Sequence, residues 1–364
     1  MKIGILTFHA SHNYGSMLQA YALQKYLLKE GHDVKIINLR TSTQKHFYAN
    51  PAEGNIKALL RSCTHLRTFL HNCIKWKLFE SFLCKEYITT KEVAKLVSVE
   101  NVIKEEAFDA LITGGDQIWN MNATDFSIAY FAPFNIPGLK KISYSPSFGS
   151  EEYFVPNNYA PVIKDLLSHY DSISVRDKSA SVFLSELLGK DIPAMTDPTM
   201  LLDKSKYEEL AGGEPIIKGK YIFYYSPQPR SDRNKMALRL SQKYNLPVYT
   251  SNGNYDNFAG IKHYQKVGPK EFLNLIKFSE FTCGKSFHLL VFSLILEKKI
   301  ISMTGDKDAR MKGLLEDVNL SQLGCATDMD VSQINMPEID WSYVRKVLIQ
   351  YKQKGASYLS QALS

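Results

Sequence analysis

Two successive alternations of short apolar runs with longer amphipathic stretches decide what this chain can fold into. In the first, strand-length runs at 3–8, 33–39, 109–113, 141–145 and 172–175 are joined by helical patterns at 14–30, 159–169 and 178–188. Such alternation marks a mainly parallel sheet with crossover helices. The opening is a βαβ unit in which Gly31 stops the helix. The second alternation predicts strands at 221–225, 248–251, 281–283 and 300–303, with helices at 233–244, 269–278, 287–296 and 310–317. A last helix is expected over 340–363, with Asp340 as N-cap. Between the two series, 203–220 is polar, carries Gly212, Gly213 and Pro215, and reads as an interdomain connection. At 364 residues the chain exceeds the usual size of a single core. The expected architecture is therefore α/β with two Rossmann-like domains facing a cleft. A first domain covers 1–205, a second 206–338, and the terminal helix 339–364. Ligands of such sheets sit beyond the carboxyl ends of the strands, so the chemistry is sought in the loops that follow them.

Composition narrows the partners. A net charge of +7 favours anions: phosphorylated substrates, a lipid headgroup surface or nucleic acid. The excess is modest and no nucleic-acid module is present, which disfavours the last. Five cysteines, an odd number without a CxxC pair, argue for reduced thiols in a cytoplasmic protein. The nine histidines are scattered, without paired Cys or Glu at ligand spacing, so no metal or other cofactor is expected. The apolar run at the N-terminus gives way at His9, too short for a signal-peptide core, and no stretch approaches the ~20 apolar residues of a membrane span. A soluble or peripheral protein follows. One insertion, 55–87, interleaves Lys57, Arg61, Arg67, Lys75, Lys77 and Lys85 with apolar and aromatic residues such as Phe69, Trp76, Phe79 and Phe82. A helix lying on an anionic membrane has this composition, and so does a core helix with a solvated basic face. Both readings stand open.

Four loops hold the residue types that chemistry requires. The first, around Asn13, Tyr14 and Gly15, opens a helix whose free N–H groups suit an anion. The plainer reading has Asn13 capping the turn, and the spacing favours it. The third strand runs out into Gly114-Gly115-Asp116-Gln117, with Trp119 beyond, and brings a carboxylate to the sheet edge. Asp116 there can serve a sugar hydroxyl as acceptor or base, or merely cap the next turn. Arg176 ends the run at 172–175. Such a residue is usually a surface ion pair, yet its fork also suits carboxylate or phosphate. Finally, Gly284-Lys285-Ser286-Phe287-His288 breaks a strand and opens a helix, a good place for phosphate and for an acid–base imidazole. A histidine beside an apolar run is more often a satisfied core residue.

Taken in order, these segments resemble the polysaccharide pyruvyl transferase family. GILTFHASHNYGSMLQAYALQKYL resembles the family's start. FDALITGGDQIWN is similar to its Gly-Ser-Asp-Gln-x-Trp-Asn segment, with Gly115 in the Ser position, and KISYSPSFG, SISVRDKSA, TDPTMLL and KSFHLLVFS follow in family order. The likeness runs from residue 3 to about 363. It implies a GT-B-like fold whose last helix returns to the N-terminal, acceptor-side domain, with the donor side in the C-terminal domain. It also implies transfer of a pyruvyl group from phosphoenolpyruvate, as co-substrate, to two hydroxyls of a sugar. The acceptor would be a lipid-linked or polymeric glycan for exopolysaccharide, capsule or cell wall, handled at the cytoplasmic face of the membrane. By resemblance His288 is the acid and Arg176 the anion clamp. Lys285 and Ser286 join as donor-binding candidates, Asp116 as base, and Asn13, Tyr14, Gly15, Gln117 and Trp119 as acceptor-binding candidates. Two departures stand out: Lys285 where the family has Asp or Asn, and Leu289 where it has Gly. A GT-B glycosyltransferase using a nucleotide sugar, or a glycan-binding assembly protein without catalysis, are the competing readings.

Overall fold

The structure, a computed structural model, describes residues 1–53, 66–149, 159–228, 230–252, 259–304 and 308–364. The part of the basic insertion at 55–65 lies outside these residues, as does Cys63. Two compact units emerge. One comprises Met1–Ala49, Glu80–Leu202 and Gln350–Ser364, and the other Asn50–Phe79 and Asp203–Ile349. Three stretches group otherwise than in the sequence-based division: 203–205, the last helix as far as Ile349, and 50–79 with the start of the insertion, all of which fall in the second unit. There His71 bonds Gln265 at 2.9 Å, and Leu78 lies against Gly268.

In the first unit the chain runs through β1 (Lys2–Leu6), α1 (Tyr14–Lys29), β2 (Asp33–Ile36), α2 (Ser42–Phe47) and α3 (Leu66–Glu86), whose last turns from Glu80 belong here. It continues through α4 (Leu96–Glu106), β3 (Ala110–Gly114), β4 (Lys140–Tyr144), α5 (Ala160–Ser168) and α6 (Lys178–Leu188). The sheet order is β2-β1-β3-β4, all parallel, with Ile3 opposite Val34 and Ile112 opposite Ile142. Its strands are apolar on both faces because helices and loops cover both sides. The strand expected at 172–175 is reduced to isolated bridges, Ile142 with Ser172 and Val175 with Ala194. Serine hydroxyls explain the loss. Ser143 and Ser174 each donate a hydroxyl to the other's carbonyl at 2.9 Å, replacing ladder bonds with side-chain ones.

The second unit holds α7 (Lys204–Ala211), β5 (Ile222–Tyr224), α8 (Ser231–Tyr244), β6 (Val248–Thr250) and β7 (Ile261–His263). It continues with α9 (Pro269–Phe278), β8 (Phe281–Gly284), α10 (Phe287–Ile295), β9 (Ile300–Ser302) and α11 (Ala309–Asp317). Its parallel sheet has the order β7-β6-β5-β8-β9. The supposed connection at 203–220 starts as a helix instead, because α7 buries Tyr207 and Leu210, and Asn274 donates to the carbonyls of Ala211 and Glu214. The last helix, α12 (Trp341–Leu363), serves both units, changing over at Gln350. In the first unit Tyr358 donates to the Ser143 carbonyl at 2.8 Å, and Gly355 lies where a Cβ would stand 2.3 Å from the Tyr144 hydroxyl.

Among the described residues no helix is long and apolar enough to cross a membrane. Within the basic insertion, Phe79 and Phe82 are buried, whereas Leu70 is half exposed. Cys73, Cys84, Cys283 and Cys325 are free thiols. In each unit the strand order reverses at one place, between β1 and β3 in the first sheet and between β5 and β8 in the second. Crevices for ligands form outside the carboxyl ends of strands at such reversals.

Candidate functional site

At the first reversal the loop after β1 meets the loop after β3. Asn13 caps α1, its side-chain oxygen accepting from the N–H groups of Gly15 at 2.9 Å and Ser16 at 3.4 Å. The donors that an anion would have used are thereby occupied. Tyr14 and Gly15 are buried behind the cap. Asp116 follows Gly115, and both are left-handed, with φ of 48° and 66°. A Cβ on Gly115 would stand 1.7 Å from the Gln19 side-chain oxygen, so glycine fits where the family has serine. That turn delivers the Asp116 carboxylate to the hydroxyl of Ser16, which donates to it. Gln117 is part-exposed and accepts from the Asn120 amide at 3.1 Å. Trp119 is fully buried. It stacks on Phe131 and donates its indole N–H to the Tyr130 carbonyl, so it is a core residue and offers no face to a glycan.

Arg176 lies on the same edge but is not a free surface cation. Its guanidinium donates to Asp197 at 2.9 Å, and both side chains are almost fully enclosed. Burial works against its charge, and the carboxylates of Asp177, Asp197 and Asp116 outweigh burial and hold it protonated. Asp177 takes a hydroxyl from Ser147, and Asp197 takes the N–H and hydroxyl of Thr199. One further carboxylate belongs to this group. Asp125 accepts from Ser11 at 2.6 Å and Tyr48 at 2.7 Å. Burial pushes its carboxyl up, its two donors pull against that, and the charge of Asp116 adds to the rise. Sequence reasoning missed Asp125 because nothing distinguishes it from any other loop aspartate until Ser11 and Tyr48 are brought beside it. Beyond it, His12 and Arg40 grip Glu80, Arg40 through two bonds of 2.8 and 2.9 Å.

The second reversal has a different character. Gly284 ends β8 with φ of 148°, and a Cβ there would lie 1.9 Å from the Tyr225 carbonyl oxygen. Only glycine lets the loop after β8 approach the exit of β5 so closely. Lys285 follows, part-exposed, and Ser286 caps α10 by accepting the N–H of Leu289 at 3.3 Å. His288 occupies the first turn of that helix and is part-exposed, its ring edge-on to Phe287 at 5.6 Å between centroids. Arg310 covers Phe287, 5.9 Å from the ring centre. The departure at Leu289 has a plain structural role: its side chain is in the core. The structure thus gathers Lys285, Ser286 and His288 on one edge, and Asn13, Asp116, Gln117 and Arg176 on the other. Among the described residues no group of His, Cys, Asp or Glu is arranged to hold a metal ion.

The sequence profile for polysaccharide pyruvyl transferase matches residues 13–307. The chain belongs to that family. The match takes in the caps of α1 and α10 and every candidate named above. No curated protein sequence matches at a significant level. Solved structures speak to the fold of this pyruvyl transferase family member. UDP-GlcNAc 2-epimerase from Methanocaldococcus jannaschii is 11% identical, with a TM-score of 0.51, 97% of this chain covered and 93% of that one. The enzyme of the same description from Neisseria meningitidis, bound to UDP-GlcNAc, is 12% identical, with a TM-score of 0.50, and 100% and 94% covered. At such identity the likeness concerns architecture alone. It agrees with the GT-B-like class of two Rossmann-like domains read from the sequence.

Proposed function

We propose that this chain transfers the pyruvyl group of phosphoenolpyruvate to two hydroxyls of one sugar in a cell-surface polysaccharide or its lipid-linked precursor, working at the cytoplasmic face of the membrane. The observation that carries the reading is His288, part-exposed in the first turn of a serine-capped helix, with Lys285 three residues before it. Family membership supplies the reaction class. In this reading protonated His288 gives its proton to the methylene carbon of phosphoenolpyruvate, and the adjacent carbon gains cationic character. A sugar hydroxyl attacks that carbon and releases its proton. Phosphate leaves with the electrons of its C–O bond, the second hydroxyl closes the ketal, and the released protons restore His288 and protonate the phosphate. Lys285 and the cap at Ser286 bind the donor's negative ends. Arg176 keeps its carboxylate neighbours in place, Asp116 among them, because a site with three carboxylates around one guanidinium repels an arriving anion.

The test uses the full chain, phosphoenolpyruvate and a set of lipid-linked and oligosaccharide acceptors, with product read by mass spectrometry and proton NMR of the ketal methyl group. Ketal formation that requires phosphoenolpyruvate is the expected result. Stabilisation by UDP- or GDP-sugars with none by phosphoenolpyruvate would move the chain to the glycosyltransferase reading. Binding of glycan without consumption of any donor would make it an assembly protein.

A further inference from the structure

A second enclosed arginine lies in the other unit, and its surroundings are the opposite of those of Arg176. Arg233 sits in the first turn of α8, directly after the exit of β5, and is only 8% exposed. One of its terminal nitrogens donates to the hydroxyl of Ser226 at 3.1 Å and to the carbonyl of Gln228. Both acceptors are neutral. Among the described residues no carboxylate forms a salt bridge with it. The adjacent Asp232 is engaged elsewhere, accepting the hydroxyl of Thr327 at 2.9 Å and lying 3.6 Å from Arg230. A guanidinium stays protonated in a protein, so an enclosed one without a counter-charge is costly unless something else supplies the charge. Burial pulls its protonation equilibrium down and Asp232 only partly opposes it, consistent with the same imbalance.

Position adds the second strand of the argument. The exit of β5 faces the exit of β8 across the reversal of the second sheet, and Gly284 brings the Lys285 loop against Tyr225, the residue before Ser226. Just past β6, the neighbour of β5 on the side away from β8, the hydroxyl of Ser251 is buried, at 1% exposure, and has no hydrogen-bond partner among the described residues. Asn252 beside it ties its amide to the Ser226 carbonyl at 2.9 Å. An uncompensated cation and a buried hydroxyl therefore lie at the exits of β5 and β6, beside the reversal at which strand order opens a crevice.

We infer that Arg233 is a phosphate-binding residue, the fixed cation of an oxyanion site at the β5–β8 reversal that takes the phosphoryl group of a small phosphorylated ligand. Two terminal N–H groups and the Nε–H remain for a forked contact, the geometry that phosphate prefers. The inference does not require pyruvyl transfer, since inorganic phosphate alone is a sufficient probe.

The experiment measures binding of inorganic phosphate and of phosphoenolpyruvate to the full chain by calorimetry, with pyruvate and chloride at matched ionic strength as controls, beside the melting temperature of the ligand-free protein. Arg233→Gln is expected to weaken phosphate binding at least about tenfold, the worth of a hydrogen bond to a charged group. Its ligand-free melting temperature should hold or rise, because an uncompensated charge has gone. A residue that merely staples Ser226 and Gln228 to α8 would behave in reverse: lower melting temperature, unchanged phosphate affinity. That outcome overturns the inference, as does a wild-type chain that takes up phosphate no better than chloride. Should Arg233→Gln fail to fold, Arg233→Lys is read instead. Loss of at least about threefold in phosphate affinity supports the site, since an ammonium lacks the fork, and unchanged affinity overturns it. Phosphate binding without ketal formation would leave this site standing while removing the proposed reaction.

Discussion

The carboxyl edges of the two sheets each carry a reversal of strand order and a glycine-shaped loop, yet they are built from opposite charges. On the first, Asp116, Asp125, Asp177 and Asp197 each accept from a hydroxyl, a backbone N–H or the guanidinium of Arg176. On the second, Lys285 is part-exposed, Arg233 donates to neutral oxygens, and His288 opens a helix whose cap is a serine. The difference teaches that a charged residue at a strand exit says little by itself. Arg176 and Arg233 are both enclosed, but carboxylates surround one and neutral oxygens the other. The first is therefore part of the frame and the second is left with charge to offer.

Four measurements break or sharpen that contrast. The largest effect falls on turnover: His288→Ala should cut ketal formation about 10²–10⁴-fold, the range for a positioned acid, with an unchanged circular dichroism spectrum. Near-normal activity would leave the second edge without its acid. Arg176→Met should cost about 3–5 kcal/mol in urea unfolding, because it strands buried carboxylates. A loss below about 1 kcal/mol would show that Arg176 is not framework after all. Gly284→Ala comes next, at about 3 kcal/mol, since its φ of 148° and the 1.9 Å approach to the Tyr225 oxygen leave no room for a Cβ. The smallest effect is one of pH. Burial alone would raise the pKa of Glu80, and His12 and Arg40 overcome this and hold it at about 2, against 4.5 when free. A lowered carboxylate stabilises the fold above its free value, and that contribution is lost as pH falls from 4.5 towards 2. Between about pH 5 and 3 the loss should be about 2 kcal/mol, and Glu80→Gln should flatten that part of the urea-measured curve. An unflattened curve would mean that this grip contributes nothing.

Much of the architecture was legible because apolar period and turn residues act locally. The helix patterns at 178–188 and 269–278 coincide with α6 and α9, and Gly31 ends α1 as its position implied. What failed did so for reasons a linear reading cannot hold. The run at 172–175 has strand composition, but its Ser174 and the facing Ser143 bond through their hydroxyls. The α7 helix looked like a linker because its burial depends on Asn274, some sixty residues away. For the same reason Trp119 looked available to a glycan: aromatic and beside an aspartate, it is packed on Phe131 only once β3 and the loop beyond it have formed. Glycine constraints sat in between. Gly284 was read as a strand break, and the identity of what it approaches, a backbone oxygen of β5, came only with the fold.

The path of the final helix has a consequence for how the polypeptide matures. The unit that contains the amino terminus is completed by residues 350–364, with Tyr358 reaching Ser143 and Gly355 seated beside Tyr144. During synthesis those last turns are still inside the ribosome when everything else of that unit has emerged. The amino-terminal sheet must therefore wait, incompletely covered, until residues 350–364 have been made, while the other unit, whose segments end at Ile349, has its parts sooner. Order of synthesis and order of completion are thereby reversed, and nascent chains stalled before residue 350 has emerged should show it by protease sensitivity in the first-made half.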